Sequence, residues 1–352
     1  MSVDMIDTNT DILTVERADF DCKLFGKKVG RLELNDGIVQ KVMSGSEMLL
    51  DTMKAAYTSG YEIIYLTTPN YNPRVQALML DVQSSLLGVH VDHKVTYGAP
   101  LEFFSLDHLR NQPLISSEII GIKIIPFSFD ASLDVQPLSP ALRDLALASG
   151  GHSRFKVDPH IPKEVFEQLF TAWVQNSINR TLANETFIAV DASTGTEVGL
   201  VTVKQKGPAL VDIGLLSVAA THRRKGIASM LLNKAAFWAM DRIGHLKDYN
   251  PTLQVVTQGA NVGACKTYEK YGFTLNSVQI VNHVWLPEHL EKLPLQPVKD
   301  KASIPYCKQY LTGAERGYIN ELLDSRLLDS SAKYTTLCSN KLRQIFRGTY
   351  GP

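Results

Sequence analysis

The chain has 352 residues, which at about 150 residues per domain corresponds to roughly two domains. Its 36 Lys and Arg side chains balance its 36 Asp and Glu side chains, so a nucleic acid is not the expected partner. The 44% of hydrophobic residues exclude intrinsic disorder as the main state. The four cysteines are scattered without a CxxC pair, and no run reaches about 18 apolar residues. We therefore expect a soluble protein of a reducing compartment, with no metal site and no membrane insertion.

Residues 1–112 are predicted to form a small α/β domain. The apolar run at 61–66 predicts a buried strand, and helical periodicity follows from Arg74 to Leu87. A polar connector at 107–112 ends at Pro113, where we expect the domain boundary.

Residues 113–292 are predicted to form a second domain with alternating strands and helices. The strands are expected at 118–128, 185–191, 197–204, 209–218, 253–257 and 276–285, and the helices at 140–148, 163–181, 226–241 and 262–271. Residues 293–352 are predicted to be a linker and a helical tail that is too short for a domain of its own.

A basic turn joins the strand ending Leu216-Ser217-Val218 to a helix. The turn contains Arg223, Arg224, Lys225 and Gly226, and Ile227 and Ala228 begin the helix. Backbone N–H groups at such a turn, together with the positive end of the helix dipole, suit a phosphate group. The alternative is an ordinary exposed basic turn that caps a helix.

A second strand-to-helix crossover follows at 253–271. Asn261 is a plausible N-cap, and helical spacing brings it onto one face with Ala264, Cys265 and Tyr268. Helix capping alone is the simpler explanation for Asn261, but two such crossovers in this order favour a binding site.

The segment Arg223-Arg224-Lys225-Gly226-Ile227-Ala228 resembles the Q/R-x-x-G-x-G/A pattern of the GNAT superfamily of acetyl-CoA-dependent N-acetyltransferases. The residues from Asn261 to Phe273 resemble the next motif of that superfamily. The resemblance implies an α/β (α+β) fold with a mixed, largely antiparallel sheet. It also implies acetyl-CoA as cosubstrate, with its pyrophosphate at 223–228 and its pantetheine along 216–218, beside Asn261 and Ala264. By the same resemblance, Tyr268 protonates the departing thiolate.

The chemistry of acetyl transfer agrees with the role that the resemblance implies for Tyr268. An ordinary tyrosine has a pKa of about 10 and stays protonated beside a thiol of about 8.5, so it is able to donate a proton to the sulfur. A water chain can serve as base for an amine, and Asp212 is only a weak candidate. We interpret Cys265 as a buried, unreactive thiol, because no positive group is placed by the sequence to lower its pKa.

A narrower resemblance extends over about 12–290. Ser153-Arg154-Phe155, the helix up to residue 177 and the segment 256–261 are similar to TDP-fucosamine acetyltransferases. This implies dTDP-4-amino-4,6-dideoxygalactose as acceptor, with Ser153, Arg154 and Phe155 near the substrate. It also implies a bacterial cytoplasmic setting and a homodimer. The turn at 221–225 is longer and more basic than in that family. A peptide or antibiotic amine as acceptor, and a non-catalytic acyl-CoA-binding scaffold, stay open as alternatives.

The tail resembles a different enzyme family. Segments at 304–306, 311–315 and 325–328 are similar to the start of DegT-type sugar-nucleotide aminotransferases. The similar stretch is too short to hold a pyridoxal phosphate site, so we interpret it as a remnant that hints at a pathway joining sugar amination to acetylation. An unrelated helical tail is the alternative.

Overall fold

The structure is a computed structural model that describes residues 13–44, 47–69, 88–104, 121–246 and 249–286. The helix predicted from Arg74 to Leu87, the boundary at 107–113 and the tail from 293 lie outside these ranges and stay predictions.

The described strands form one ten-stranded sheet in the order β1-β2-β3-β10-β4-β9-β8-β7-β6-β5. The pairs β2–β3 and β8–β9 are parallel and the other neighbours are antiparallel, which confirms the predicted mixed, largely antiparallel sheet. The strands are β1 (Glu16–Arg17), β2 (Val29–Glu33), β3 (Ile63–Pro69), β4 (Gly88–Pro100), β5 (Ile122–Pro126), β6 (Glu185–Asp191), β7 (Glu197–Gly207), β8 (Leu210–Val218), β9 (Thr252–Gln258) and β10 (Thr274–Trp285).

Helices cover both faces of this sheet, as its two apolar faces require. One face, which we call face A, packs against the helices α1 (Asp19–Phe25), α4 (Pro140–Ser149), α5 (Arg154–Val157) and α6 (Lys163–Ile178). The opposite face B packs against α2 (Asp36–Ser44), α3 (Glu47–Thr58), α7 (Ile227–Ile243) and α8 (Val262–Tyr271).

The predicted elements of the second domain agree with the structure except at some ends. The helix expected to reach Thr181 stops at Ile178, because Arg180 has a left-handed backbone with φ of 61° that an α-helix does not accommodate. The strand expected at 118–128 is Ile122–Pro126 within the described residues, and Gly121 before it has φ of 64°.

Strand β4 joins the N-terminal segment to the rest of the molecule. It lies between β9 and β10, with Lys94 opposite Gln258 on one side and Gln279 on the other. The strands before residue 104 and those after residue 121 therefore share one sheet. The boundary predicted near residue 112 falls between the described ranges and stays a prediction.

A shared sheet predicts that a core mutation in the N-terminal segment weakens the whole molecule. Leu66 on β3 is fully buried among Leu32, Met53 and Val284. We expect Leu66→Ala to lower the free energy of unfolding by about 2 to 5 kcal/mol through lost contacts and a cavity. Urea unfolding should show one transition with the same midpoint by circular dichroism and by tryptophan fluorescence. Two transitions, of which Leu66→Ala shifts only one, would contradict a single cooperative sheet.

Candidate active site

The central feature of the site is a gap between two parallel strands. Strands β8 and β9 are paired only from Leu210 to Ile213 and from Thr252 to Val255. Both strands continue beyond that point, β8 to Val218 and β9 to Gln258, without further pairing to each other. The two strand edges beyond this point resemble an unpaired sheet edge, which is suited to an extended ligand.

A β-bulge in β8 lies where the gap begins. The register with β7 shifts between the pairs Val203–Ile213 and Val201–Leu216. The N–H of Leu215 donates to Oγ1 of Thr202 over 2.9 Å instead of to a backbone carbonyl. The bulge changes which alternate side chains face each side, since Ile213 belongs to the face B core and Leu215 to the face A core.

The basic turn lies at the open end of β8. A short 3₁₀ helix (Ala220–His222) follows the strand, and Arg224 and Gly226 both have left-handed backbones, with φ of 61° and 81°. Gly226 is the N-cap of α7, and no side chain caps that helix. The first N–H groups of α7 are therefore available to an anion, and the helix dipole favours negative charge at this point.

The predicted phosphate-binding residues lie around this helix terminus. Arg223, Arg224 and Lys225 are exposed, and Nε of Arg223 donates to the carbonyl of Val218 over 3.2 Å. Ile227 is buried and anchors the first turn of α7 in the core. The predicted pantetheine-binding residues Leu216, Ser217 and Val218 form the part of β8 that borders the gap, and their role stays a prediction.

Asn261 begins α8 on the other side of the gap. Its Oδ1 accepts a hydrogen bond from the N–H of Ala264 over 3.2 Å, so the structure shows it as a helix cap. Its side-chain amide nitrogen is not used in that bond and is available to a ligand. Ala264 is half-buried against the core beside it.

Tyr268 presents a protonated hydroxyl inside the protein. The residue is only 4% exposed, and its ring packs against Tyr97 and Phe273 with centroids 6.0 Å and 5.8 Å away. Burial raises its pKa well above the ordinary value, and the nearby Cys265 raises it further. The hydroxyl has no hydrogen-bond partner among the described residues. Tyr268 is therefore a proton donor throughout the neutral pH range.

Cys265 is half-buried one helical turn before Tyr268. Its Sγ approaches the carbonyl of Gln258 at 3.8 Å, and burial raises its pKa. This agrees with an unreactive thiol, because the thiolate is the nucleophilic form. Asp212, the weak candidate base, is engaged by Lys206 at 2.7 Å and by the side chain of Gln254 at 3.2 Å.

Ser153, Arg154 and Phe155 form with Tyr65 a largely buried cluster on face A, which we call the face A cluster. The Arg154 guanidinium lies 4.4 Å from the ring centre of Tyr65 and 4.7 Å from that of Phe155. No described carboxylate forms an ion pair with it. Oγ of Ser153 and the hydroxyl of Tyr65 are buried without a described hydrogen-bond partner. Buried polar groups normally have partners, so the face A cluster is suited to a polar ligand or to water.

A buried hydrogen-bond network centred on Asp158 lies next to the face A cluster. Both His283 on β10, at its Nδ1, and Trp285, at its Nε1, bind Asp158 at 2.7 Å and 3.0 Å. Burial lowers the pKa of His283 to about 4 although Asp158 opposes this, so the imidazole is neutral at pH 7. The network fixes the end of α5, and with it Arg154, against the sheet.

Three residues in or near the face A cluster were not indicated by the motifs. Tyr65, Asp92 and Lys94 come from β3 and β4, outside the segments with recognised motifs. Alternation of polar and apolar residues at 88–100 could have revealed the strand, but only the three-dimensional structure brings it beside β9.

None of the helices within the described ranges has the length and apolar character that a membrane span requires.

Comparisons with known proteins agree with this geometry. Residues 152–273 match the acetyltransferase (GNAT) family. The streptothricin acetyltransferase of Escherichia coli is 32% identical over 93 residues, which are 26% of this chain and 49% of that protein. The chain thus spans about half the length of this curated relative.

A solved structure with a TM-score above 0.5 is similar in fold. A functionally unknown conserved protein from Staphylococcus epidermidis ATCC 12228 has a TM-score of 0.51 at 10% identity, covering 82% of this chain and 96% of that one. A GCN5-related N-acetyltransferase from Kribbella flavida has a TM-score of 0.43 at 11% identity, covering 76% and 84% of the two chains.

Proposed function

We propose that the chain, whose residues 152–273 match the acetyltransferase (GNAT) family, transfers acetyl from acetyl-CoA to the amino group of a small molecule. The observation that carries the proposal is the gap between β8 and β9, with an uncapped helix terminus after β8 and the buried Tyr268 on the helix that follows β9. When bound, acetyl-CoA supplies an activated thioester.

The residues around the gap fit the chemical parts of acetyl-CoA. The N–H groups at 224–228 and the exposed cations Arg223, Arg224 and Lys225 suit its phosphates. The backbone edge at 216–218, which does not pair with β9, suits the amide groups of pantetheine, and the side-chain nitrogen of Asn261 offers a further donor.

Tyr268 is proposed as the general acid. A thiolate leaving group needs a proton, and a buried phenol of raised pKa holds one at neutral pH. Its freedom from described partners leaves the hydroxyl available for the sulfur.

The acceptor is proposed to bind on face A, at the cluster around Arg154. We propose dTDP-4-amino-4,6-dideoxyhexose, most specifically the galacto isomer, acetylated on its 4-amino group in surface-glycan biosynthesis. The resemblance of 153–155 to TDP-fucosamine acetyltransferases supports this, and a half-buried guanidinium without an ion pair is suited to a phosphate. The same proposal includes a bacterial cytoplasmic setting and a homodimer, both from the resemblance alone.

A second candidate is a different small-molecule amine. The 32% identity with streptothricin acetyltransferase over 93 residues supports it. The two candidates share the proposed acetyl-CoA site and differ only in the amine that binds at the face A cluster.

The acceptor class is tested by thiol release from acetyl-CoA. dTDP-4-amino-4,6-dideoxygalactose, its gluco epimer, streptothricin and a peptide with a free amino terminus should be offered in parallel. We expect turnover with the galacto nucleotide sugar and much slower release with the others. Turnover with streptothricin alone would favour the second candidate. Binding of acetyl-CoA without thiol release for any amine would point to a non-catalytic acyl-CoA-binding protein.

The role of Tyr268 is tested by removing one oxygen atom. Tyr268→Phe should lower kcat by about 10² to 10⁴, the usual range for losing a general acid, with little change in the affinity for acetyl-CoA. Tyr271→Phe is the matched control, because Tyr271 is on the same helix and its hydroxyl binds Oδ1 of Asn233. Tyr271→Phe should keep kcat. An unchanged kcat in Tyr268→Phe would show that the acid is another group.

A further inference from the structure

The carboxyl group of Asp92 is unusual among the buried acids of this protein. It belongs to β4, which comes from the N-terminal segment and lies outside the family match at 152–273. The residue is 9% exposed, yet no hydrogen bond or ion pair joins its carboxyl to any residue that the structure describes. Asp21 and Asp158, by contrast, are tied to Arg31 and His283 at 2.8 Å and 2.7 Å.

The surroundings of Asp92 keep its carboxyl near the point of ionisation. Burial raises its pKa to about 7, and this outweighs the opposing effect of the cations Arg154 and Lys94. The charged and titratable groups that interact with Asp92 are Lys94 on the same strand, Arg154 from α5 and Cys265 from α8 on face B. Asp21, Arg31 and Tyr65 interact with Arg154, as does His283, and Asp158 interacts with Tyr65 and His283.

Asp92 lies at the same end of the sheet as the gap. Strand β4 is antiparallel to β9, and Lys94 is opposite Gln258, the last residue of β9. Asp92 is two residues further towards the open end and on the same face as Lys94. Cys265, on the face B helix α8, lies close enough to interact electrostatically with both Asp92 and Tyr268.

We propose that Asp92 accepts the proton that the acceptor ammonium must lose before it attacks the thioester. This rests on the proposed function and adds the missing base to it. The other nearby acids are occupied, since Asp212 is paired with Lys206 and Glu269 accepts a hydrogen bond from the Tyr97 hydroxyl at 2.7 Å.

The proton balance of the step closes without a further reactant. The ammonium passes one proton to Asp92, and the neutral nitrogen attacks the acetyl carbonyl. The C–N bond forms, the C–S bond breaks, and the sulfur takes the proton of Tyr268. The second proton of the nitrogen returns to Tyr268 through water, and Asp92 releases its proton to solvent. The products are the amide, the thiol and one proton.

The pH dependence of kcat/KM tests this role. Wild-type enzyme should show an acidic limb with an apparent pKa of about 7. Asp92→Asn, which is nearly isosteric, should lose that limb and fall by about 10² or more at pH 8. Asp92→Glu should restore part of the rate together with a limb.

Asp212→Asn is the matched control, since it removes a carboxyl that Lys206 binds on β8, two strands away from β4. It should keep the limb. A limb that survives in Asp92→Asn, or that disappears in Asp212→Asn instead, would overturn the proposal. If wild-type protein acetylates no amine at all, the proposed function fails instead of this inference.

Thermal unfolding without substrates gives an independent measurement. A carboxyl whose pKa is raised in the folded state costs stability once the pH exceeds its unfolded value, and the cost is complete above its folded value. Asp92→Asn should therefore raise Tm relative to wild type at pH 8.5 and leave it nearly unchanged at pH 4. A Tm difference that is the same at both pH values would contradict the ionisation that the proposal requires.

Discussion

The divergence of β8 and β9 is the constraint on which the rest of the site depends. Two parallel strands that stop pairing after Ile213 and Val255 leave unsatisfied backbone groups inside a covered sheet. Such groups are costly unless a partner reaches them. The bulge at the start of the gap separates the strands, and the helices α7 and α8 begin beside their open ends. A ligand with amide and phosphate groups satisfies both the strand edges and the helix terminus.

The N-terminal segment is part of this arrangement because β4 is inserted beside β9. It pairs with β9 on the side away from the gap and places Asp92 and Lys94 on face A. The domain that matches the acetyltransferase family therefore provides the proposed cosubstrate site, while the neighbouring segment provides part of the proposed acceptor site. Changes in that segment offer a way to alter the acceptor without altering acetyl-CoA binding.

Local patterns predicted the second domain well, because its strands and helices are amphipathic and its turns contain Asn261 and Gly226 at helix starts. The same patterns could not predict that β4 lies between β9 and β10, since Lys94 and Gln279 are 185 residues apart. They also missed Asp92, whose properties come from burial and from cations on other elements. Asn261 shows the converse, because its predicted site position is also an ordinary helix cap.

The most direct test of the account is a crystal structure with coenzyme A bound. We predict that the pyrophosphate lies against the backbone N–H groups of 224–228, that pantetheine fills the gap beside 216–218, and that the sulfur is within hydrogen-bond reach of the Tyr268 hydroxyl. Coenzyme A bound elsewhere, or backbone hydrogen bonds that close the gap between β8 and β9, would contradict the account.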